Sequence, residues 1–358
     1  MSKVLVPDYF EDFHCKCGAC RRPCCDGWGI NVDEHEYFTL IGLACSKRLR
    51  HKLDDAFVIR NPATEEEYAS IRPNYLMQCP MLDSDGLCLL QKEQGEKMIP
   101  LICRVYPRAV KKYGQHHEIC MSCSCEKTIE LLMKSTSPLT LHEADVELPF
   151  DGLKIYGDEP EKERVRHGVI AAMSDFSVPI GDRLGIIGNF VCGQIIRPTG
   201  LRADAVSALA GLLSLICKGS ESIREAGEKA LSYLGDGKDR LERFDAAEAH
   251  LYALVPEIET YAGRIIANHM LYESFPYVPD CDCTDTAFAA LCTAVGILKL
   301  LCVCGMAESE NPDDLVDIIA LANRFTEHSD FYRVCSRLSH PKGMEIYARF
   351  SPMFFRAK

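Results

Sequence analysis

Twelve of the twenty cysteines lie before residue 126, and five of those fall within FHCKCGACRRPCCDGWGINVD, positions 13–33. This crowding constrains the fold more than anything else in the chain. Thiols set among Gly18, Pro23, Gly27 and Gly29 sit on turns, and so irregular a stretch takes its order from what the thiols bind rather than from burial. The later cysteines read differently. Cys217 in LLSLIC, Cys292 in AALC, and Cys302 and Cys304 in LLCVC lie inside apolar runs, where a thiol behaves as a small buried hydrophobe. Cys281 and Cys283, in PDCDC, lie outside such a run.

The opening MSKVLVPDYF lacks the charged, apolar and small-residue regions of a secretory signal, so a cytoplasmic location is expected. Thiols in a reducing compartment serve metal ligation, redox chemistry or packing rather than disulfides. A formal net charge of −12 argues against a general nucleic-acid binder, which needs a basic surface to displace counterions. The longest weakly charged stretch, AFAALCTAVGILKLLCVCGMA, contains Lys299 and scattered Cys, Thr and Gly, and reads as a buried core helix rather than a membrane span. No membrane partner is expected.

Asp33 and Glu36 have the spacing of a capping box that opens a helix through EHEYFTLIGLA, which SKRLRHKLDD continues or caps at the surface. Residues 75–91, YLMQCPMLDSDGLCLLQ, read as two short strands turning at Asp83 to Gly86, a hairpin that would bring Cys79 and Cys88 together. LTLHEADVELPFDGLKIYG reads as extended, and His116 and His117 as loop residues. From about residue 160 the periodicity is helical, in VRHGVIAAMSDF, DAVSALAGLLSLIC, EIETYAGRIIANHMLYESF and TAFAALCTAVGILKLL. The predicted fold is mostly α: a cysteine-rich, irregular amino-terminal half with a short β-hairpin (residues 1–158), packed on a carboxy-terminal helical bundle (residues 159–358).

Cys15, Cys20, Cys24 and Cys25 are spaced Cys-x4-Cys-x3-Cys-Cys, with Cys17 as an extra. A structural zinc favours paired Cys-x2-Cys knuckles, a spacing found at Cys17 to Cys20 and at Cys120 to Cys123. An iron-sulfur cluster tolerates more varied spacing. Spacing leaves cluster, zinc and unligated thiols all open. No glycine-rich dinucleotide loop or phosphate loop occurs, so a nucleotide-like cofactor would be held in some other way.

Four stretches together resemble the flagellin lysine N-methylases. In the first, Phe13, Cys15, Cys20, Cys24, Cys25, Trp28 and Asp33 fall where that family has its Phe, four Cys, Trp and Asp. The second, CPMLDSDGLCLLQKEQGEKMIPLICRVYPR, brings in Cys79, Cys88, Cys103, Pro107 and Arg108. The third, EICMSCSCEKTIELL, is similar to the family's Ser-Cys-Pro-Glu-Ala segment but lacks its Pro, and either Cys123 or Cys125 is the matching thiol. ANHMLYESFPY and RFTEHSDFY resemble weaker patterns of the helical half.

The resemblance implies a protein lysine N-methyltransferase that uses S-adenosylmethionine, carries a [4Fe-4S] cluster and acts on flagellin or another lysine-bearing protein. Its candidate metal ligands are Cys15, Cys20, Cys24, Cys25, Cys79, Cys88, Cys103 and Cys123. Trp28, Arg104 and Arg108 are the candidate cofactor-binding residues, since an aromatic face steers a cation and a guanidinium grips a carboxylate or offsets thiolate charge. Glu327 and His328, inside a helical pattern, read as satisfied polar neighbours, and no general base is assigned. The alternative from the cysteines alone is an iron- or zinc-binding protein without transferase activity.

Overall fold

The computed structural model describes residues 2–26, 29–147, 154–157, 159–195, 197–339 and 342–354. Eight strands and fifteen α-helices occur among them, so the protein is mostly helical as predicted. The chain forms two compact units, His14–Tyr106 and Met1–Phe13 with Pro107–Lys358. Composition changes near residue 158, but the units part at 13/14 and 106/107. The reason is strand pairing: the segment after Tyr106 joins a sheet with the first residues of the chain.

That sheet runs in the order β7-β1-β6-β5-β8. Its strands are β1 (Ser2–Pro7), β5 (Arg108–Tyr113), β6 (His116–Met121), β7 (Leu141–Val146) and β8 (Lys154–Tyr156). Strands β5 and β6 form a tight antiparallel hairpin through Gly114, whose φ of 56° suits the left-handed turn. His116 and His117 therefore belong to a strand, not to a loop. Leu141–Val146 and Lys154–Tyr156 fall within the stretch read as extended.

The smaller unit holds β2 (Ile30–Val32), β3 (Phe57–Ile59) and β4 (Ala69–Ile71), with helices α1 (Glu34–Ile41), α2 (Lys47–Ala56), α3 (Leu89–Gln94) and α4 (Leu101–Val105). Helix α1 opens on the predicted capping box: Glu36 N donates to Asp33 Oδ1 at 2.7 Å and Asp33 N to Glu36 Oε2 at 3.3 Å. KRLRHKLDDA does not continue α1. It is a separate helix, capped by Ser46 Oγ on Leu49 N (3.1 Å), and it buries Leu49, Leu53 and Ala56. Residues 75–91 turn at Asp83 to Gly86 as expected, with Gly86 at φ 77°, but pair only at an isolated Leu82–Cys88 bridge before α3 begins. The arms are too short for strands because α3 takes up the chain directly after Cys88.

In the larger unit, helices α5 (Glu126–Met133), α6 (Pro160–Met173), α7 (Ile180–Cys192), α8 (Arg202–Gly219), α9 (Glu221–Leu234), α10 (Arg240–Leu254), α11 (Ile258–Tyr272), α12 (Thr284–Gly305), α13 (Asp314–Glu327), α14 (Phe331–Ser339) and α15 (Gly343–Phe354) follow in order. Helix α12 is apolar on every side and is the axis of the bundle, packed by α7, α9, α13, α14 and α15. It is long and apolar enough to cross a membrane, but 89% of its apolar window is buried inside the protein. Its one charge inside that stretch, Lys299, pairs with Glu248 at 2.7 Å. Gly188 permits the close approach of α7, since a Cβ there would lie 2.4 Å from the Phe288 ring. Cys217, Cys292, Cys302 and Cys304 are all buried, as their apolar settings predict.

Candidate functional site

Three groups of polar side chains stand out, one in the smaller unit and two in the larger. In the smaller unit the sequence-predicted thiols Cys24, Cys25, Cys79, Cys88 and Cys103 perturb one another's ionisation, which places them within electrostatic reach. Cys79 is anchored by its own N–H to Cys25 O at 2.7 Å. Burial pushes the Cys79 thiol up to about 11, while the N–H groups of Met81 and Leu82 act the other way by facing the sulfur. Burial also raises Cys88, against the N–H groups of Gln91 and Leu90. Cys25 is raised by its hydrogen bond with Cys24 and by burial.

Cys15 lies beside Cys17, whose N–H donates to its Sγ at 3.3 Å, and within reach of Cys24. Cys20 is half-buried. Among the described residues no three or more His, Cys, Asp or Glu side chains are drawn around one point as a ready ligand set. The donor chemistry nonetheless suits a soft metal: the sulfurs lie within electrostatic reach of one another, and backbone N–H groups already face two of them, as they do around thiolate ligands. Arg104, directly after Cys103, has its Nε buried without a hydrogen-bond partner. Trp28 lies outside the described residues.

Arg108 and Cys123 belong to the larger unit. Arg108 stacks over the Phe13 ring at 4.9 Å. Cys123 is fully buried, and its Sγ accepts from Asn268 Nδ2 at 3.0 Å. It thereby enters a polar network that sequence reading missed. Asn268 Nδ2 also donates to Met121 O at 2.7 Å, and Tyr9 Oη donates to Asn268 Oδ1.

The centre of this network is Glu327, the last residue of α13, whose side chain is wholly buried. Ser122 Oγ donates to Glu327 Oε2 at 2.6 Å. Cys123 N approaches Oε1 at 3.4 Å, and His269 Nδ1 lies 3.0 Å from the same oxygen. His269 Nε2 is 2.8 Å from Tyr332 Oη. On the other side, His328 Nε2 lies 2.8 Å from Ser124 Oγ, and Ser124 is hydrogen-bonded to Ser122. With Ser122 donating to Glu327, the donors align in one direction, from solvent-exposed His328 through Ser124 and Ser122 to the buried carboxylate.

Burial pulls the pKa of His269 down, but its hydrogen bond to Glu327 and that carboxylate's charge more than offset this, so it is raised. The arrangement can pass a proton between a buried carboxylate and the surface. The stretches EICMSCSC, ANHMLYESFPY and RFTEHSDFY, each singled out in the sequence, supply all of it except Tyr9. No local signal marks Ser122 or Ser124, because their partners lie more than 200 residues away.

A second buried cluster lies on the same sheet. Glu118 of β6 accepts from Arg166 Nη2 at 2.7 Å and lies 3.2 Å from His167 Nε2. Lys111 of β5, also buried, donates to Tyr272 O at 2.6 Å and to Leu271 O.

Comparison with known proteins finds distant relatives. The chain is 27% identical over 144 residues to proteins named Lysine-N-methylase from Salmonella choleraesuis and Salmonella typhimurium. The likeness is to lysine N-methylases. It covers 40% of this chain and 35% of each relative, so the chain spans about a third of their length. A third relative, the flagellar biosynthetic protein FliU of Salmonella muenchen, is 28% identical over 143 residues, which is 39% of this chain and 82% of that protein. No family model matches the chain, and no solved structure does.

Proposed function

We propose that the protein is an S-adenosylmethionine-dependent lysine N-methyltransferase of the cytoplasm, acting on flagellin or another protein, with a [4Fe-4S] cluster on its smaller unit. The observation that carries this reading is the likeness to proteins named Lysine-N-methylase. Cys24, Cys25, Cys79, Cys88 and Cys103 are the thiols that would hold the cluster, with Arg104 offsetting thiolate charge. When bound, the cluster supplies metal–sulfur bonds that tie together turns with little core of their own.

A lysine nitrogen attacks a sulfonium methyl only after losing a proton; its N–C bond forms as the C–S bond breaks, leaving a neutral thioether. The hydrogen-bonded chain ending at His328 offers a path for that proton, with Glu327 holding the relay in one direction. Incubating the purified protein with isotopically labelled donor and cell-extract proteins, followed by mass spectrometry, should reveal label on lysine. No label from protein that binds the donor and retains its metal would overturn the reading.

The thiols alone support a second reading, an iron- or zinc-binding protein without transferase activity. A brown anaerobic preparation indicates a cluster and a colourless metal-containing one indicates zinc.

A further inference from the structure

A groove of about 620 Å³ opens in the larger unit where β5, β8 and the start of α6 meet the chain after α11. Its polar lining is unusual in composition. Arg166 is 2% exposed; its guanidinium stacks on the Tyr113 ring at 4.1 Å and Nη2 donates to Glu118, while Nε and Nη1 are buried without a hydrogen-bond partner. One turn earlier on the same helix, Glu163 presents a buried Oε1 that also lacks a partner. Buried donors and acceptors left unpaired are costly, so an arginine and a glutamate both incomplete in one groove point to a ligand that completes both.

The remaining walls carry tyrosines alongside Glu159, Lys162 and Asp280. Tyr113 and Tyr156 stack with their centroids 4.6 Å apart, and Ser274 Oγ bonds both hydroxyls at 3.0 Å. Tyr277 faces the groove with Lys162 Nζ 5.3 Å from its ring centroid. Two unpaired donors, one unpaired acceptor and tyrosine faces together match a molecule with a carboxylate, an ammonium and a planar or cationic remainder. The volume suits a small ligand of that kind.

We infer that this groove binds the zwitterionic α-amino-acid head of a small molecule, its carboxylate on Arg166 and its ammonium on Glu163. Identifying the occupant as the methyl donor, through its methionyl end, rests on the transferase reading; the amino-acid recognition does not.

The test is calorimetric titration of the full-length, metal-loaded protein with S-adenosylhomocysteine, methionine and adenosine as separate probes. S-adenosylhomocysteine and methionine are expected to bind, and adenosine to bind at least 10-fold more weakly than S-adenosylhomocysteine. Glu163→Gln should weaken S-adenosylhomocysteine at least 10-fold, and Arg166→Lys more. Because Arg166 is also paired with Glu118, its variant risks misfolding, so Glu163→Gln and Tyr277→Ala, at less buried positions, decide the matter.

Adenosine binding as tightly as S-adenosylhomocysteine, or unchanged affinity in Glu163→Gln and Tyr277→Ala, would overturn the assignment, as would no heat with any probe. Unchanged affinity together with persistent methyl transfer would sink the groove and leave the transferase reading standing. Methionine binding that is lost in the groove variants, in protein that transfers no methyl group, would do the reverse.

Discussion

Replacing Glu327 by Gln removes one charge from the buried network while keeping its shape. The carboxylate has three donors: Ser122 Oγ at 2.6 Å, His269 Nδ1 at 3.0 Å and Cys123 N at 3.4 Å. An amide retains one oxygen, which must stay toward His269 and Cys123, so its NH2 group faces Ser122 and reverses the hydrogen-bond chain to His328. All three bonds to a charged acceptor, at about 1.5–3 kcal/mol each, become neutral ones at about 0.5–1.5 kcal/mol, so destabilisation of about 3 kcal/mol is expected. That corresponds to roughly 4 °C in melting temperature for a protein of this size.

The pH dependence changes sign as well. His269 is faced by Glu327, Glu273, Lys111 and Tyr332, and its pKa is raised in the native protein. A raised pKa contributes stability that is present below the ordinary value of 6.5 and lost as pH rises through the folded value. Without the Glu327 charge, burial dominates, so stability is lost instead as pH falls below 6.5, with a slope of at most about 1.4 kcal/mol per pH unit. Thermal melts of both proteins from pH 5.5 to 8.5 measure this. Equal melting temperatures and parallel pH profiles would refute the placing of a charged Glu327 at the centre.

Cys79→Ser and Cys88→Ser should each lower bound iron or zinc to less than half, measured by metal analysis of purified protein; full metal in both would exclude them as ligands. Chelation should open residues 14–106 to protease while leaving the helices of the larger unit resistant, because a unit with so small a core takes metal-binding energy as folding energy; uniform protection on a gel would count against it. Glu118, raised by burial but pulled lower still by Arg166 and His167, titrates at about 2 rather than 4.5. It should contribute about 3 kcal/mol that is present above pH 4.5 and lost as pH falls toward 2. An acid-unfolding midpoint unchanged in Glu118→Gln, followed by circular dichroism, would contradict this.

The sequence disclosed what depends on near neighbours. Asp33 and Glu36 made a legible capping box because both partners lie within one turn, and α12 was legible as core because every face of it is apolar. The nearness of Cys79 to Cys88 followed from the turn at Asp83 to Gly86, but that this pair lies within reach of Cys24 and Cys25 is set by the fold and not by spacing. The hairpin Arg108–Met121 was not legible: its buried positions include Lys111 and Glu118, which look like surface residues until Tyr272 and Arg166 are brought to them. Only the Gly114 turn marked it. The network around Glu327 was hidden for the same reason, since its partners are joined by the fold and not by spacing.

The contact between Phe13 and Arg108 has a further consequence. These residues stand at the two exits of the stretch 14–106, and at 4.9 Å they touch, so the whole stretch is an insertion whose ends leave the host at one point. Should the insertion melt on losing its metal, the host sheet would have to be closed by a floppy loop of about 90 residues. Pinning the ends of such a loop costs about 4 kcal/mol in chain entropy relative to a tight link. Loss of metal in one unit would therefore loosen β1 from its sheet in the other through the entropy of the connecting chain alone.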